Sequence, residues 1–135
     1  MLKIRIYSFS YKKSGIPKDD TSNGGGFVFD CRYIENPGRN PAFAMLCGKD
    51  KEIIEFLNPQ EQMMDFLVNV YNIVDHAVEN YLMRDFTDLM VSFGCTGGQH
   101  RSVYSAEKLK QHLEKKFKEK IKVEIYHNEL EQEKD

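Results

Sequence analysis

The sequence predicts a single-domain α/β fold with a mainly parallel sheet flanked by helices. Three observations support this class. Short apolar segments alternate along the chain with amphipathic helical segments. The last third has the order strand, loop, helix, strand, which requires a crossover connection, expected to be right-handed. The length of 135 residues suits one domain, which we expect over residues 1–128.

The first half of the chain contains two predicted strands separated by a long loop. Apolar and charged residues alternate at 2–6, which predicts a half-buried strand that continues towards residue 11. Residues 12–26 are polar and include three consecutive glycines, so we expect a loop of a length that is often functional. The sequence Phe-Val-Phe-Asp at 27–30 predicts the second strand, and Asn-Pro-Gly-Arg-Asn-Pro at 36–41 predicts turns.

The second half contains the clearest helices. A short helix is expected over 50–57, and apolar residues at three- and four-residue steps predict a long amphipathic helix over 60–82. A buried strand at 89–93 leads into a glycine-rich loop, and a second amphipathic helix follows over 101–118. Alternation at 121–125 predicts the last strand.

Composition and charge narrow the class of protein further. The chain is 41% hydrophobic and 30% charged, as globular proteins are, and its net charge of −2 excludes a protein-wide polycation. No apolar run approaches the roughly 20 residues of a membrane span. The first residues do not resemble a signal peptide, so we expect a cytoplasmic protein without a membrane partner.

Three cysteines without metal-ligand spacing are expected to be free thiols, and no metal or cofactor is predicted. The polar segment 129–135 is expected to be a flexible acidic tail.

The strand-loop-helix segment at 89–118 is the main candidate site. Its glycines allow the backbone to approach a ligand, and the start of the helix adds partial positive charge and free N–H groups. Arg101 adds a planar guanidinium group, which can donate two parallel hydrogen bonds to a phosphate or a carboxylate. We therefore predict an anion cradle, and the alternative is a tight turn capped by serine or threonine. The candidate ligand-binding residues in this loop are Cys95, Thr96, Gly97, Gly98, Gln99, His100, Arg101 and Ser102.

A catalytic interpretation of the same loop stays open. Residues 95–102 match CxxGxxRS, the signature of cysteine-dependent phosphatases. In such an enzyme the Cys95 thiolate would attack phosphorus and Arg101 would bind the phosphoryl oxygens. Asp30 or Asp85 would then supply the general acid. The other interpretation is that Cys95 is a small residue that lets the loop close.

Basic and aromatic residues suggest RNA as a partner. The lysines of the last helix and its exit either follow an RNA backbone or form an ordinary solvated face. Tyr7, Phe9 and Tyr11 lie on one side of the first strand, where they either stack on bases or pack in the core. The RNA-binding candidates are Lys12, Arg39, Lys115 and Lys118.

The blocks at residues 8–17, 28–37 and 94–104 resemble the C-terminal domain of the RapZ family of RNase adapter proteins. Residues 94–104 are similar to the family's GCTGG(K/Q)HRSVY segment. Residues 8–17 resemble its SFGFKxGxP segment, and residues 28–37 resemble its VFDVRFLxNP segment. The blocks occur in the family's order and span nearly the whole chain.

The resemblance implies a non-catalytic regulatory domain. Its expected partners are small regulatory RNA, a phosphorylated amino sugar such as glucosamine 6-phosphate, and further copies of itself. The family's N-terminal kinase-like domain has no counterpart in this sequence, so nucleotide binding is not expected from it. Gly38 stands where the family often has a histidine, and an acidic end stands where the family has a basic tail. The resemblance places Thr96, Gly97, His100 and Arg101 in the anion pocket, with Asp30, Arg32 and Asn36 beside it.

Overall fold

The computed structural model of the chain describes residues 1–133, with side chains up to residue 130. Three short 3-10 turns, Pro37–Arg39, Pro41–Phe43 and Lys118–Lys120, accompany the regular elements. Those elements are, in chain order, β1 (Leu2–Ser10), β2 (Phe27–Asp30), α1 (Lys51–Leu57), α2 (Glu61–Met83), β3 (Asp88–Cys95), α3 (Arg101–Phe117), β4 (Ile121–His127) and α4 (Asn128–Glu133).

The four strands form one sheet in the order β2-β3-β1-β4. Every neighbouring pair is parallel, with Ile4 of β1 beside Leu89 of β3 on one side and Val123 of β4 on the other. The α/β class with a parallel sheet flanked by helices is therefore confirmed. The carboxyl ends of all four strands lie along one edge of the sheet, which we call the carboxyl edge.

The order of the strands explains how the two faces of the sheet are covered. The connections β2–β3 and β3–β4 cross the sheet in the same direction, so right-handed crossovers place α2 and α3 on the same face. These helices enclose the main hydrophobic core against β1 and β3. The connection β1–β2 runs in the opposite direction and lies on the other face. No helix within residues 1–133 is long and apolar enough to cross a membrane.

The loop over residues 11–26 covers that second face, and a buried ion cluster anchors it. The Nη2 of Arg5 in β1 donates to Asp19 of the loop and to Asp88 at the start of β3, both at 2.8 Å. Hydrogen bonding to Asp88 raises the pKa of Arg5, so its charge is permanent. The long polar loop is thus held by charge pairing rather than by apolar packing, which explains why its sequence lacks periodicity.

Two boundaries differ from those that the sequence predicts. β3 runs through Gly94 to Cys95, because Gly94 still pairs with β1 and β2 on either side. Residues 128–133 form α4, although a flexible tail was expected from 129, and Glu129 is only 4% exposed. The Oε2 of Glu129 accepts a hydrogen bond from the backbone N–H of Ser10 at 3.0 Å, so a polar contact holds α4 against the end of β1. Residues 134 and 135 lie outside the described chain.

Candidate functional site

A cavity of about 270 Å³ lies at the carboxyl end of β3. β1 and β3 are neighbours here, and the chain leaves them in opposite directions across the sheet. Ligands of open parallel sheets bind in such crevices. A larger cleft of about 410 Å³ at the opposite edge includes Asp85 and Asp88 in its lining, which does not suit an anion. The cavity at β3 is lined by Asn36, Gly38, Ala44, Cys95, Thr96, Gly97, Gln99, His100 and Arg101.

The start of α3 faces this cavity with free backbone donors. His100 is the residue before the helix, and its side chain makes no capping hydrogen bond. The first N–H groups of a helix have no partner within the helix and carry partial positive charge. Thr96 is exposed beside them, and a side-chain carbon added at Gly97 would meet nothing within 4 Å. The loop therefore offers open space next to the start of the helix.

Arg101 is the buried cation of the site and is only 3% exposed. Its Nη1 donates to the backbone carbonyls of Arg32 and Ile34, both at 2.7 Å. Its Nε is buried and has no hydrogen-bond partner among residues 1–133. Leaving a buried donor unpaired costs about 1–3 kcal/mol, and more for a charged group. The Nη1 of Arg101 thus fixes the 31–34 segment, and its buried Nε lacks a partner within the part of the chain that the structure describes.

His100 forms a wall of the cavity as a neutral ring. Its Nε2 lies 2.9 Å from the carbonyl oxygen of Phe43, so Nε2 carries the proton and donates it. Burial lowers the pKa of His100, which keeps the ring uncharged at neutral pH. A side-chain carbon at Gly38 would lie 3.2 Å from the His100 ring, so the glycine leaves room beside it.

Gln99 holds a neighbouring segment rather than offering its amide nitrogen to a ligand. Its Nε2 donates to the carbonyls of Ala44 at 2.7 Å and Leu46 at 2.6 Å. The backbone carbonyl of Gln99 also accepts the N–H of Gly48 at 2.9 Å. These bonds bring the 44–48 segment against the start of α3, where Ala44 completes the cavity wall.

Gly98 and Ser102 support the loop from behind and do not line the cavity. Gly98 has a φ of +68°, and a side-chain carbon there would lie 2.8 Å from the backbone nitrogen of Ser10. Ser102 is fully buried, with its Oγ 3.1 Å from the Sγ of Cys95. Cys95 lines the cavity but is only 2% exposed.

Asp30 and Arg32 lie at the carboxyl edge without lining the cavity. They pair with each other at 2.7 Å, and each side chain is nearly half exposed. The Arg32 guanidinium also lies 3.9 Å above the ring of Tyr11. Asn36 does line the cavity, and its Oδ1 accepts the N–H of Gly38 at 2.9 Å. Of the three residues expected beside the pocket, Asn36 alone contributes to the lining.

The structure separates the four RNA-binding candidates into two groups. Lys12 follows β1 and Arg39 lies in the turn beside Gly38, so both are exposed at the carboxyl edge near the cavity. Lys115 and Lys118 lie at the far end of α3, more than 20 Å away at about 1.5 Å per residue. Phe9 is fully buried in the structure, as expected for packing rather than for base stacking.

Sequence reasoning missed the segment over 41–48, which supplies Ala44 and the carbonyls that hold His100 and Gln99. This segment has no hydrophobic periodicity, and its carbonyls accept side-chain hydrogen bonds from residues more than 50 positions later. The glycine at position 48 was a feature of the sequence that could have pointed to this segment. A side-chain carbon there would lie 2.9 Å from the Cβ of Val103, so the backbone packs closely on α3.

Comparison with known proteins identifies the family. Residues 2–131 match the RapZ C-terminal domain. A nucleotide-binding protein of Thermosipho melanesiensis is 38% identical over 128 residues, which are 95% of this chain and 42% of that protein. A nucleotide-binding protein of Actinobacillus succinogenes is 34% identical over 133 residues, which are 98% of this chain and 43% of that protein. The chain thus spans about two fifths of the length of these relatives. Together with the three sequence blocks and the strand-loop-helix site, this match shows that the chain belongs to the RapZ C-terminal domain family.

Proposed function

We propose that this domain is a non-catalytic regulatory module that binds a phosphorylated small molecule in the cavity at β3. The observation that carries this proposal is the buried Arg101, whose Nε has no partner within the described chain. Arg101 lines the cavity, where a phosphoryl oxygen would accept from its guanidinium group and from the N–H groups at the start of α3. The neutral His100 and the exposed Thr96 add polar groups at the cavity wall.

The size of the cavity favours a sugar phosphate as the ligand. A volume of about 270 Å³ is slightly below the range of roughly 300–1,000 Å³ that is typical of drug-sized ligands. The RapZ resemblance implies an amino-sugar phosphate, so glucosamine 6-phosphate is the first compound to test.

Replacing Arg101 by alanine is expected to remove this binding. The variant loses the donor that faces no protein acceptor, so we expect at least a tenfold loss of affinity, equivalent to about 1.4 kcal/mol. Isothermal titration calorimetry with glucosamine 6-phosphate and with inorganic phosphate measures it. Arg32→Ala is the matched control, because it removes an arginine from the same edge that does not line the cavity. Equal affinity in Arg101→Ala and the wild type would contradict the proposal.

We also propose that RNA binds at the carboxyl edge. Lys12 and Arg39 are exposed there, on the side of the domain that holds the ligand cavity. Binding at this edge would bring the nucleic acid and the small ligand close enough to influence each other. The RapZ resemblance supports RNA as the partner, and the position of the two cations supports this surface over the far end of α3.

Replacing both Lys12 and Arg39 by alanine is expected to weaken RNA binding and its dependence on salt. Each lost phosphate contact lowers the slope of log affinity against log salt by about 0.7–0.9, so the double variant should lose roughly 1.5. Mobility shifts with a structured RNA at several salt concentrations measure the slope. The matched double variant is Lys115→Ala with Lys118→Ala, which removes the same number of charges from the other end. A larger loss in this second variant would assign RNA to α3 instead.

A cysteine-dependent phosphatase is the second candidate, because Cys95 lines the cavity beside Arg101. Neither of the two candidate aspartates suits the role of general acid in such a phosphatase. Asp85 precedes β3 and is separated from Cys95 by the length of that strand, about 23 Å. Hydrogen bonding to Arg32 lowers the pKa of Asp30, so its carboxyl group carries no proton to donate at neutral pH.

We therefore expect no turnover of an aryl phosphate by the wild type above the rate without protein. Release of the aryl alcohol, followed by absorbance, measures it, and Cys95→Ser should behave as the wild type does. Turnover that disappears in Cys95→Ser would reverse this conclusion and establish the enzyme.

A further inference from the structure

Cys31 and Cys95 lie side by side at the ends of two adjacent strands. β2 and β3 pair Asp30 with Gly94, and the N–H of Cys31 donates to the carbonyl of Gly94 at 2.8 Å, which continues the pairing. Adjacent strands are about 4.8 Å apart, and the Cα atoms of a disulfide are usually 4.4–6.8 Å apart. The backbone positions therefore suit a disulfide bond.

The two side chains also point to the same place. The Sγ of Cys31 lies 3.8 Å from the Oγ of Ser105, and the Sγ of Cys95 lies 3.1 Å from the Oγ of Ser102. These serines are three positions apart on α3 and hence share one face of the helix. Both thiols are free and converge beneath the same helical turn.

The surroundings give the two cysteines different roles. Cys95 is among the residues that line the cavity, and 2% of its surface is exposed. Cys31 is fully buried, and burial raises the pKa of its thiol. A reagent that enters from solvent therefore meets Cys95 first, with Cys31 behind it as a second thiol.

We infer that Cys31 and Cys95 form a redox pair that a hydroperoxide entering the cavity converts into a disulfide. The Cys95 sulfur attacks one peroxide oxygen and the O–O bond breaks, which gives a sulfenic acid on Cys95 and, from hydrogen peroxide, one water. The Cys31 sulfur then attacks the Cys95 sulfur. The S–O bond breaks, and the hydroxyl leaves with the Cys31 proton as a second water. Two thiols are oxidised by two electrons in total and one peroxide is reduced.

This disulfide would connect oxidation to the anion cavity. Cys95 belongs to the cavity wall, and the carbonyl of Cys31 lies 3.5 Å from the Nη1 of Arg101. The inference goes beyond ligand binding, because the disulfide needs only the two thiols and a hydroperoxide. Its test needs no ligand, so its failure and that of the proposed function are distinguishable.

Peptide mapping after peroxide treatment tests the inference. The reduced, folded protein is treated with hydrogen peroxide, free thiols are alkylated, and the chain is digested with trypsin. Cleavage after Lys18, Arg32, Arg39, Lys49, Arg84 and Arg101 places the three cysteines on three separate peptides. We expect a covalently linked pair of the 19–32 and 85–101 peptides, with Cys47 on its own peptide fully alkylated.

Two variants sharpen the result. Cys47→Ala is the matched control and should form the linked pair as the wild type does. In Cys31→Ala the link should be absent, and dimedone should label Cys95 as a sulfenic acid. The wild-type peptides decide the question even if a variant folds poorly. Absence of the 31–95 link in peroxide-treated wild type, or a link that involves Cys47, would overturn the inference.

Discussion

Gly97→Asp is expected to abolish binding of a phosphorylated ligand, whereas Gly97→Asn should largely preserve it. Gly97 lines the cavity, and an added side-chain carbon there meets nothing within 4 Å, so both residues fit without displacing the loop. They have nearly the same shape and differ in one negative charge. A carboxylate about 5 Å from the bound anion opposes it by about 3 kcal/mol at an effective dielectric constant of 20.

That energy corresponds to a loss of roughly 150-fold in affinity for the aspartate variant relative to the asparagine variant. Calorimetric titration with glucosamine 6-phosphate and with inorganic phosphate gives both affinities. The unfolding midpoints of the two variants serve as the control for folding and should agree with each other. If aspartate and asparagine bind equally well, the cavity is not an anion site and the loop is a structural turn.

Gly98→Ala is expected to lower the free energy of unfolding by about 3 kcal/mol. Gly98 has a φ of +68°, which a residue with a side chain adopts at a cost of about 1 kcal/mol or more. Its new methyl group would also lie 2.8 Å from the nitrogen of Ser10 and 2.9 Å from the carbonyl carbon of Phe9. Both atoms belong to the backbone of a central strand, so they move only if the sheet moves, and such overpacking costs about 1–3 kcal/mol.

The neighbouring glycine provides the control for this prediction. Gly97→Ala is the same substitution one residue earlier, in open space, and should change the free energy of unfolding by less than about 0.5 kcal/mol. Urea denaturation followed by circular dichroism measures both variants. Equal stabilities for the two alanine variants would show that the loop does not pack on β1 in the way described.

Local patterns predicted the regular elements well because those patterns depend on near neighbours. The three- and four-residue spacing of apolar residues predicted a helix over 60–82, and α2 spans Glu61–Met83. The alternation at 121–125 predicted a strand, and β4 spans Ile121–His127. α4 was missed, because it buries the charged Glu129, which a hydrophobic pattern does not reveal.

The sequence indicated the candidate site as one continuous segment but not the contacts that surround it. The glycines, the helix start and Arg101 are contiguous in the sequence, so their chemistry was visible without a structure. The partners of Arg101 are carbonyls 67 and 69 positions earlier, and those of Gln99 are 53 and 55 positions earlier. No local pattern encodes these contacts. Arg101 and Gln99, two positions apart, therefore differ in role: the Nε of Arg101 is unpaired within the described chain, whereas the amide nitrogen of Gln99 is already bonded.

The sequence by itself determined the α/β class and the strand-loop-helix at 89–118, and it led to the hypothesis of an anionic ligand. These properties follow from residue type and spacing along a continuous segment. Only the tertiary structure decided which loop residues line the cavity, which basic residues lie beside it and which thiols are neighbours. The physical reason is that a parallel sheet brings distant strand ends to one edge, and the packing around each backbone position sets the direction of its side chain.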